Sequence, residues 1–200
     1  MPVRSDREYR SMSALAPVVS DENTENKYLV RGYATTFDKP YLLYEIDGVK
    51  YYECVDRHAL DEADMSDVIM QYDHSGRVFA RTTNKTIRLT PDDHGLLVDA
   101  DLSLTNAARD MHRDIAARLV TKMSWAFRVA KAAYDETTRT RTILKISKVY
   151  DVSAVSKPAN DDTEISARSF VDGVIEKEKA ERLSRRRRIL ELIIKTEMEE

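Results

Sequence analysis

Two hundred residues, 34% of them charged but with a net charge of only −3, fit one medium domain with appendages and give an overall field too weak to recruit nucleic acid. The single cysteine, Cys54, excludes an intramolecular disulfide framework and fits a reducing compartment. No Cys/His cluster offers four metal ligands, no stretch approaches the roughly 20 apolar residues that span a bilayer, and MPVRSDREYR lacks a signal peptide's apolar core. A soluble intracellular protein without metal or cofactor is therefore expected.

In chain order, residues 1–26 are polar, carry Pro2 and Pro17 and end in SDENTEN, which reads as a loosely held arm. KYLVRGYATTFD then reads as a strand with Gly32 at a bend or bulge. YLLYEIDGVKYYECV is a hairpin, because Asp47-Gly48 separates two apolar runs. HALDEADMSD (58–67) predicts a short helix, and VIMQYDH (68–74) a buried strand ending in a histidine. KTIRLT and GLLVDADL are strands flanking the Pro91-Asp-Asp-His-Gly95 turn. NAARDMHRDIAARLVTK (106–122) has helical spacing, with Met111, Ile115 and Leu119 on one face. MSWAFRVAKAAYDE and RTRTILKISKVYDVSAVSKP are two further strands around a turn at Thr137-Thr138.

Many strands, few short helices and no βαβ alternation predict an α+β domain over 27–170, with a β-barrel-like core of mostly antiparallel strands and flanking helices. Residues 171–200 predict a charged helical tail, with Glu178–Arg182 and Glu181–Arg185 at favourable i, i+4 order and apolar residues bunched from Ile189 to Ile194. The Ser184-Arg-Arg-Arg-Arg188 run is opposed by Glu176, Glu178, Glu181 and Glu191 and has no interleaved aromatics. That favours helix association over nucleic-acid binding.

The LVTKMSWAFRVAK stretch sets Ser124 between Met123 and Trp125 at the start of a strand. A nucleophilic serine needs a neighbouring base, usually histidine, and the base needs a partner that fixes its tautomer. Of four histidines, His94 lies in a turn, His112 on the exposed-looking side of a helix and His58 in a charged loop. Only His74 ends an apolar strand. Asp151 is a carboxylate within the apolar KVYDVSAV strand and needs a partner, histidine or arginine, to be buried. Asp73, next to His74, points to the other face and is the weaker orienting acid.

These segments, taken together, resemble the prohead proteases of tailed bacteriophages, capsid-maturation serine proteases distantly akin to the herpesvirus assemblin proteases. The resemblance runs from about Lys27 to Arg168. RGYATTFD is similar to the family's "GYA-x-x-F" strand, and YDHSGRVFARTTN to "NHD…LGRT", with His74 at the histidine. ARDMHRDIAARLVTKMSWAF resembles the helix and "MSFGF" strand that carry the nucleophile, at Ser124. KVYDVSAVSKPANDDTEIS resembles "L-x-EVS-x-V-x-x-PAY-x-x-T", placing the acid at Asp151, with Pro158-Ala159 and Thr163 also matching. Trp125-Ala126 replace Phe-Gly, Asp151 replaces glutamate, and Asn160 stands where an aromatic is common.

The resemblance implies a Ser124–His74–Asp151 triad, with oxyanion donors among the backbone amides after Ser124, Arg81 and Arg128. It implies an assemblin-type fold, a phage or prophage origin and a place in the host cytoplasm inside the immature capsid. The implied substrates are the major capsid protein, the scaffold and the chain's own end segments, while a homodimer is an expectation from the apolar Ile189–Ile194 helix end. Two rival readings exist. A non-catalytic scaffolding module on the same fold would be favoured by loss of a triad member, and all three are present. An α/β-hydrolase esterase would need the G-x-S-x-G elbow, which this chain lacks.

Overall fold

The computed structural model describes residues 7–14, 16–17, 27–46 and 48–156, and, in a second unit, 173–177, 180–181, 183–189 and 191. The first compact unit is Met1–Glu164 and the second Ile165–Glu200. In the first, the strands are β1 (Glu8–Ala14), β2 (Ala16–Pro17), β3 (Leu29–Thr36), β4 (Tyr41–Ile46), β5 (Val49–Val55), β6 (Ile69–Tyr72), β7 (Ser75–Arg81), β8 (Ile87–Pro91) and β9 (Gly95–Asp101). Helix α1 (Asn106–Ala116) and the long strands β10 (Lys122–Asp135) and β11 (Thr140–Val155) follow.

Among the described residues the strands form two sheets, without closing into a barrel, where a barrel-like core was expected. One runs β1-β10-β11-β5-β4, with β6 on β11 and β7 on β6; the other runs β2-β3-β9-β8. Among the described strands, only the β11–β5 and β11–β6 pairings are parallel, so the mostly antiparallel character holds. β11 is long enough to pair with β5 through Thr140–Ile143 and with β6 through Asp151–Ala154. That brings a strand-end turn next to Asp151.

Apolar alternation builds the core where it was expected. Leu96, Val98 and Ala100 of β9 and Val30 and Ala34 of β3 are buried in the same cluster. Gly95 allows the two strands to meet, since a Cβ there would lie 2.0 Å from the Thr35 carbonyl oxygen. Gly95→Ala is expected to lower stability by about 3 kcal/mol or more, because the obstacle is backbone and cannot rotate away. Thermal denaturation of the two proteins measures it.

Two helix expectations need correction. Residues 58–67 form successive turns rather than a helix. The Asp56 carboxylate accepts the His58 amide at 2.8 Å and the Asp64 carboxylate the Ser66 amide at 3.0 Å, local bonds that compete with a helical ladder. The predicted 106–122 helix stops at Ala116. Thr105 Oγ1 caps its start by accepting the Ala108 amide at 3.1 Å. Its end is a Schellman turn with Arg118 at φ 60°, the Arg118 amide donating to the Ile115 carbonyl and the Leu119 amide to Asp114. Met111 and Ile115 are buried as expected, but Leu119 lies past the turn and is 69% exposed.

The largest departure is at the N-terminus. Residues 8–14 were expected to be part of a loose arm, yet they pair along β10, with Glu8 opposite Phe127 and Ser11 opposite Ser124. The inward residues are charged, which hid the alternation, and they are neutralised in a buried network. Arg10 Nε donates to Glu53 Oε1 at 2.6 Å and Nη2 to Glu53 Oε2 at 2.8 Å. Arg10 Nη2 also reaches Glu8 Oε2 at 2.7 Å. Arg141 Nη1 donates to Glu8 Oε2 at 2.6 Å and to Glu53 Oε2 at 2.9 Å. The Tyr41 hydroxyl donates to the same Glu53 carboxylate.

Burial alone would raise the Glu8 pKa. The hydrogen bond from Arg141 and the charges of Arg10 and Arg141 outweigh it and hold Glu8 below the usual glutamate range. A carboxylate depressed on folding stabilises the fold above its unfolded value, about 4.3 for glutamate, and loses that contribution as pH falls through its folded value. Denaturant melts are therefore expected to show stability draining away below about pH 4, and less steeply in Glu8→Gln.

The described residues of the second unit are helical. Lys177 Nζ approaches Glu181 Oε1 at 3.9 Å, and Leu183 and Ile189 are exposed. The Glu178–Arg182 pair, the rest of the Ile189–Ile194 apolar end, Pro158-Ala159, Asn160 and Thr163 lie outside the described residues.

Candidate active site

Ser124 and Asp151 come from adjacent strands of one hairpin. In the β10–β11 register Ser124 faces Ser153 and Ala126 faces Asp151, so Ser124, Ser153 and Asp151 share one face of the sheet. Met123, Trp125 and Phe127 take the other face and the core. All three are buried, and Trp125 stacks on Phe127 at 4.0 Å.

His74 arrives over that face on a two-residue turn. Asp73 and His74 link β6 to β7, with Tyr72 paired to Ser75, and both adopt positive φ, 45° and 56°. This is the left-handed geometry of a tight hairpin turn, which glycine or asparagine usually fills. For non-glycine residues it costs on the order of 1–3 kcal/mol each and persists only where the surroundings enforce it. The Asp73 amide donates to the Ala154 carbonyl at 3.0 Å, and its carboxylate accepts the Ser156 amide and hydroxyl, each at 3.4 Å. Asp73 therefore ties the turn to the end of β11 and does not touch His74 as an orienting acid.

The three side chains nominated from sequence meet. His74 Nδ1 lies 2.5 Å from Asp151 Oδ1, and His74 Nε2 lies 2.6 Å from Ser124 Oγ. An ionised carboxylate only accepts, so Nδ1 carries the proton and Nε2 presents its lone pair to the serine hydroxyl. The aspartate, one methylene shorter than glutamate, spans the gap. Ser124 and Asp151 are almost fully buried and the imidazole keeps 14% of its surface exposed, so the histidine is the member facing outward.

Two contributors were not foreseen. Ser153 Oγ donates to Asp151 Oδ1 at 2.9 Å, the oxygen that also contacts His74. Period-two spacing from Asp151 on the predicted strand was the available signal. Tyr9 of β1 packs edge-to-face on the His74 ring, centroids 4.7 Å apart at 72°. Its signal was masked because the neighbouring inward residues are charged.

The other histidines lie apart from this cluster. His58 Nδ1 contacts Asp61 at 3.1 Å on the surface, and His94 packs on Tyr33. His112 is not on an open face. It packs edge-on to Tyr28, and burial pushes its pKa down. Arg81 is bound bidentate to Asp67, both contacts at 2.6 Å, which commits it away from an oxyanion role. Arg128 is exposed, its guanidinium 5.9 Å from the Tyr150 ring centre. No group of acidic, histidine or cysteine side chains suited to a metal occurs among the described residues. No helix among them is long and apolar enough to cross a membrane.

A serine bonded to a histidine that is bonded in turn to a carboxylate is the connectivity by which serine hydrolases are recognised, on whatever fold it occurs. The family model described as caudovirus prohead serine protease matches residues 16–176, and the chain belongs to that family. The match extends beyond the Lys27–Arg168 stretch at both ends and takes in β2. No curated protein and no solved structure matches the chain. At family level the protein is a phage-encoded serine protease of capsid maturation, working inside the prohead on capsid proteins.

Proposed function

We propose that this chain is a serine endopeptidase whose Ser124, His74 and Asp151 act as nucleophile, general base and orienting acid. Its substrates are the N-terminal region of the major capsid protein, the scaffold and the protease's own end segments. The carrying observation is the His74 ring bonded through one nitrogen to Asp151 and through the other to Ser124.

The chemistry follows from that order. As Ser124 Oγ attacks a peptide carbonyl, its proton passes to His74 Nε2, and Asp151 stabilises the imidazolium across the Nδ1 bond. The same proton then goes to the leaving amine, and the amide C–N bond breaks. Water, deprotonated by the regenerated base, hydrolyses the acyl-serine and restores the hydroxyl. No metal or cofactor enters these steps.

The test is incubation of the purified chain with its cognate major capsid protein and scaffold, followed by intact mass. Defined truncation of either protein is expected. A folded chain that cuts neither, nor itself, supports the non-catalytic scaffolding reading instead. Homodimerisation through residues 171–200 is a subsidiary proposal. Specific activity rising with protein concentration supports it, and constant specific activity removes it.

A further inference from the structure

We propose that strand β1 is a working part of the catalytic apparatus: Tyr9 positions His74, and the enzyme is competent only while this strand stays docked. The inference rests on the protease reading above and concerns a segment outside the nominated triad.

Three neighbouring strands each present one side chain to the same imidazole. Tyr9 comes from β1, Ser124 from β10 and Asp151 from β11. The bond to Cβ and the two hydrogen bonds together define the ring plane, and slight rocking about the line joining the two nitrogens is the soft motion that they leave. An edge-to-face contact off that line damps the rocking, and such contacts are worth enough to bias one ring orientation. Tyr9 is opposite Ala126 in register, two residues from Ser124. The strand therefore lies beside the nucleophile in the plane of the sheet, and the space above Ser124 is left to His74.

Alternation along the strand explains how so short a segment holds its place. Glu8 and Arg10, flanking Tyr9, point to the opposite face and join Glu53 and Arg141 in the buried network. The strand contributes one negative and one positive charge, and the two left behind, Glu53 and Arg141, are already bonded at 2.9 Å. Withdrawal of the whole strand leaves a balanced pair, whereas loss of one of its charges does not. Such a segment is sensitive to loss of a single charge yet departs as a unit. A cut between Pro17 and Lys27 therefore does not by itself inactivate the enzyme; departure of the strand does.

The test has two arms on the full chain. In the first, Tyr9→Phe is expected to match wild type, while Tyr9→Leu, which keeps an apolar side chain but removes the ring, loses about 3- to 10-fold in kcat with KM unchanged. Labelling of Ser124 by a fluorophosphonate, followed by mass, falls in parallel, and melting curves confirm that each variant is folded. In the second, a site for a sequence-specific protease is placed between Pro17 and Lys27 and the folded chain is nicked. Activity is expected to survive nicking, to fall on dilution below that of the uncut chain, and to return on adding a synthetic peptide of residues 1–20. Equal labelling of wild type and Tyr9→Leu, or a nicked chain that keeps full activity after the peptide is removed, overturns the proposal. A gain in activity on removal also overturns it and makes the strand a cover. Failure of wild type to label at Ser124 overturns the protease reading itself, a separate outcome.

Discussion

Ser124→Ala is expected to leave the fold intact and abolish cleavage of the capsid protein, with a rate loss of roughly 10⁴- to 10⁶-fold. Removing one oxygen from a buried site costs about 1 kcal/mol of stability, the worth of a single hydrogen bond to His74 Nε2. It removes the only group that the proposed chemistry can acylate. Intact mass after incubation with capsid protein shows truncation by wild type and none by the variant. Truncation by both assigns the nucleophile elsewhere. Asp151→Asn refines the result. It preserves the shape of the 2.5 Å contact to Nδ1 but replaces a pure acceptor with an amide that can donate, which favours the wrong imidazole tautomer. A loss on the order of 10⁴-fold is expected. Ser153→Ala is expected to fall far short of that, since the carboxylate and its charge remain.

The second large effect is on stability. Glu53 is fully buried and holds both Arg10 and Arg141, with Tyr41 on the same carboxylate. Glu53→Gln keeps the volume and leaves two buried guanidinium groups sharing the single negative charge of Glu8. Breaking a buried pair in this way costs about 3–5 kcal/mol, because the penalty is an uncompensated charge in a low-dielectric interior. For a chain of this size that is a fall in Tm of roughly 6–20 °C. The double variant Glu53→Gln/Arg10→Gln restores neutrality and is expected to lose less than the sum of the single changes. Additive losses would show that the four groups do not act as a unit.

Ser124, His74 and Asp151 were legible because each carried its own anomaly in the sequence: a serine beside a tryptophan, a histidine at a strand end, a carboxylate in an apolar run. The family resemblance supplied their assembly. The hairpins at Gly48 and at Pro91–Gly95 were legible because turn chemistry is local. The Asp92 carboxylate accepts the amides of both His94 and Gly95 there. β1 was not legible, since Glu8 and Arg10 read as solvated surface until Glu53 and Arg141, distant in sequence, are brought to them. The 58–67 helix failed for the converse reason: its residues suit a helix, but aspartate side chains capture the backbone amides. The separate β2-β3-β9-β8 sheet, and the branching of the larger sheet where β11 takes β5 at one end and β6 at the other, are non-local pairings that no local pattern encodes.

The spacing of the triad along the chain also orders its appearance in time. Ser124 and Asp151 belong to one hairpin of adjacent strands, a local structure of the kind that forms in microseconds. His74 reaches them across sequence separations of 50 and 77 residues, through a parallel pairing of β6 on β11. Such non-local closures come late, because their entropy is lost before their contacts are gained. In a newly synthesised chain Ser124 and Asp151 are therefore expected to be set early and His74 near the end of folding. On the proposed chemistry, the capacity to cut proteins arrives only with the finished fold, and a chain still folding is harmless to its neighbours.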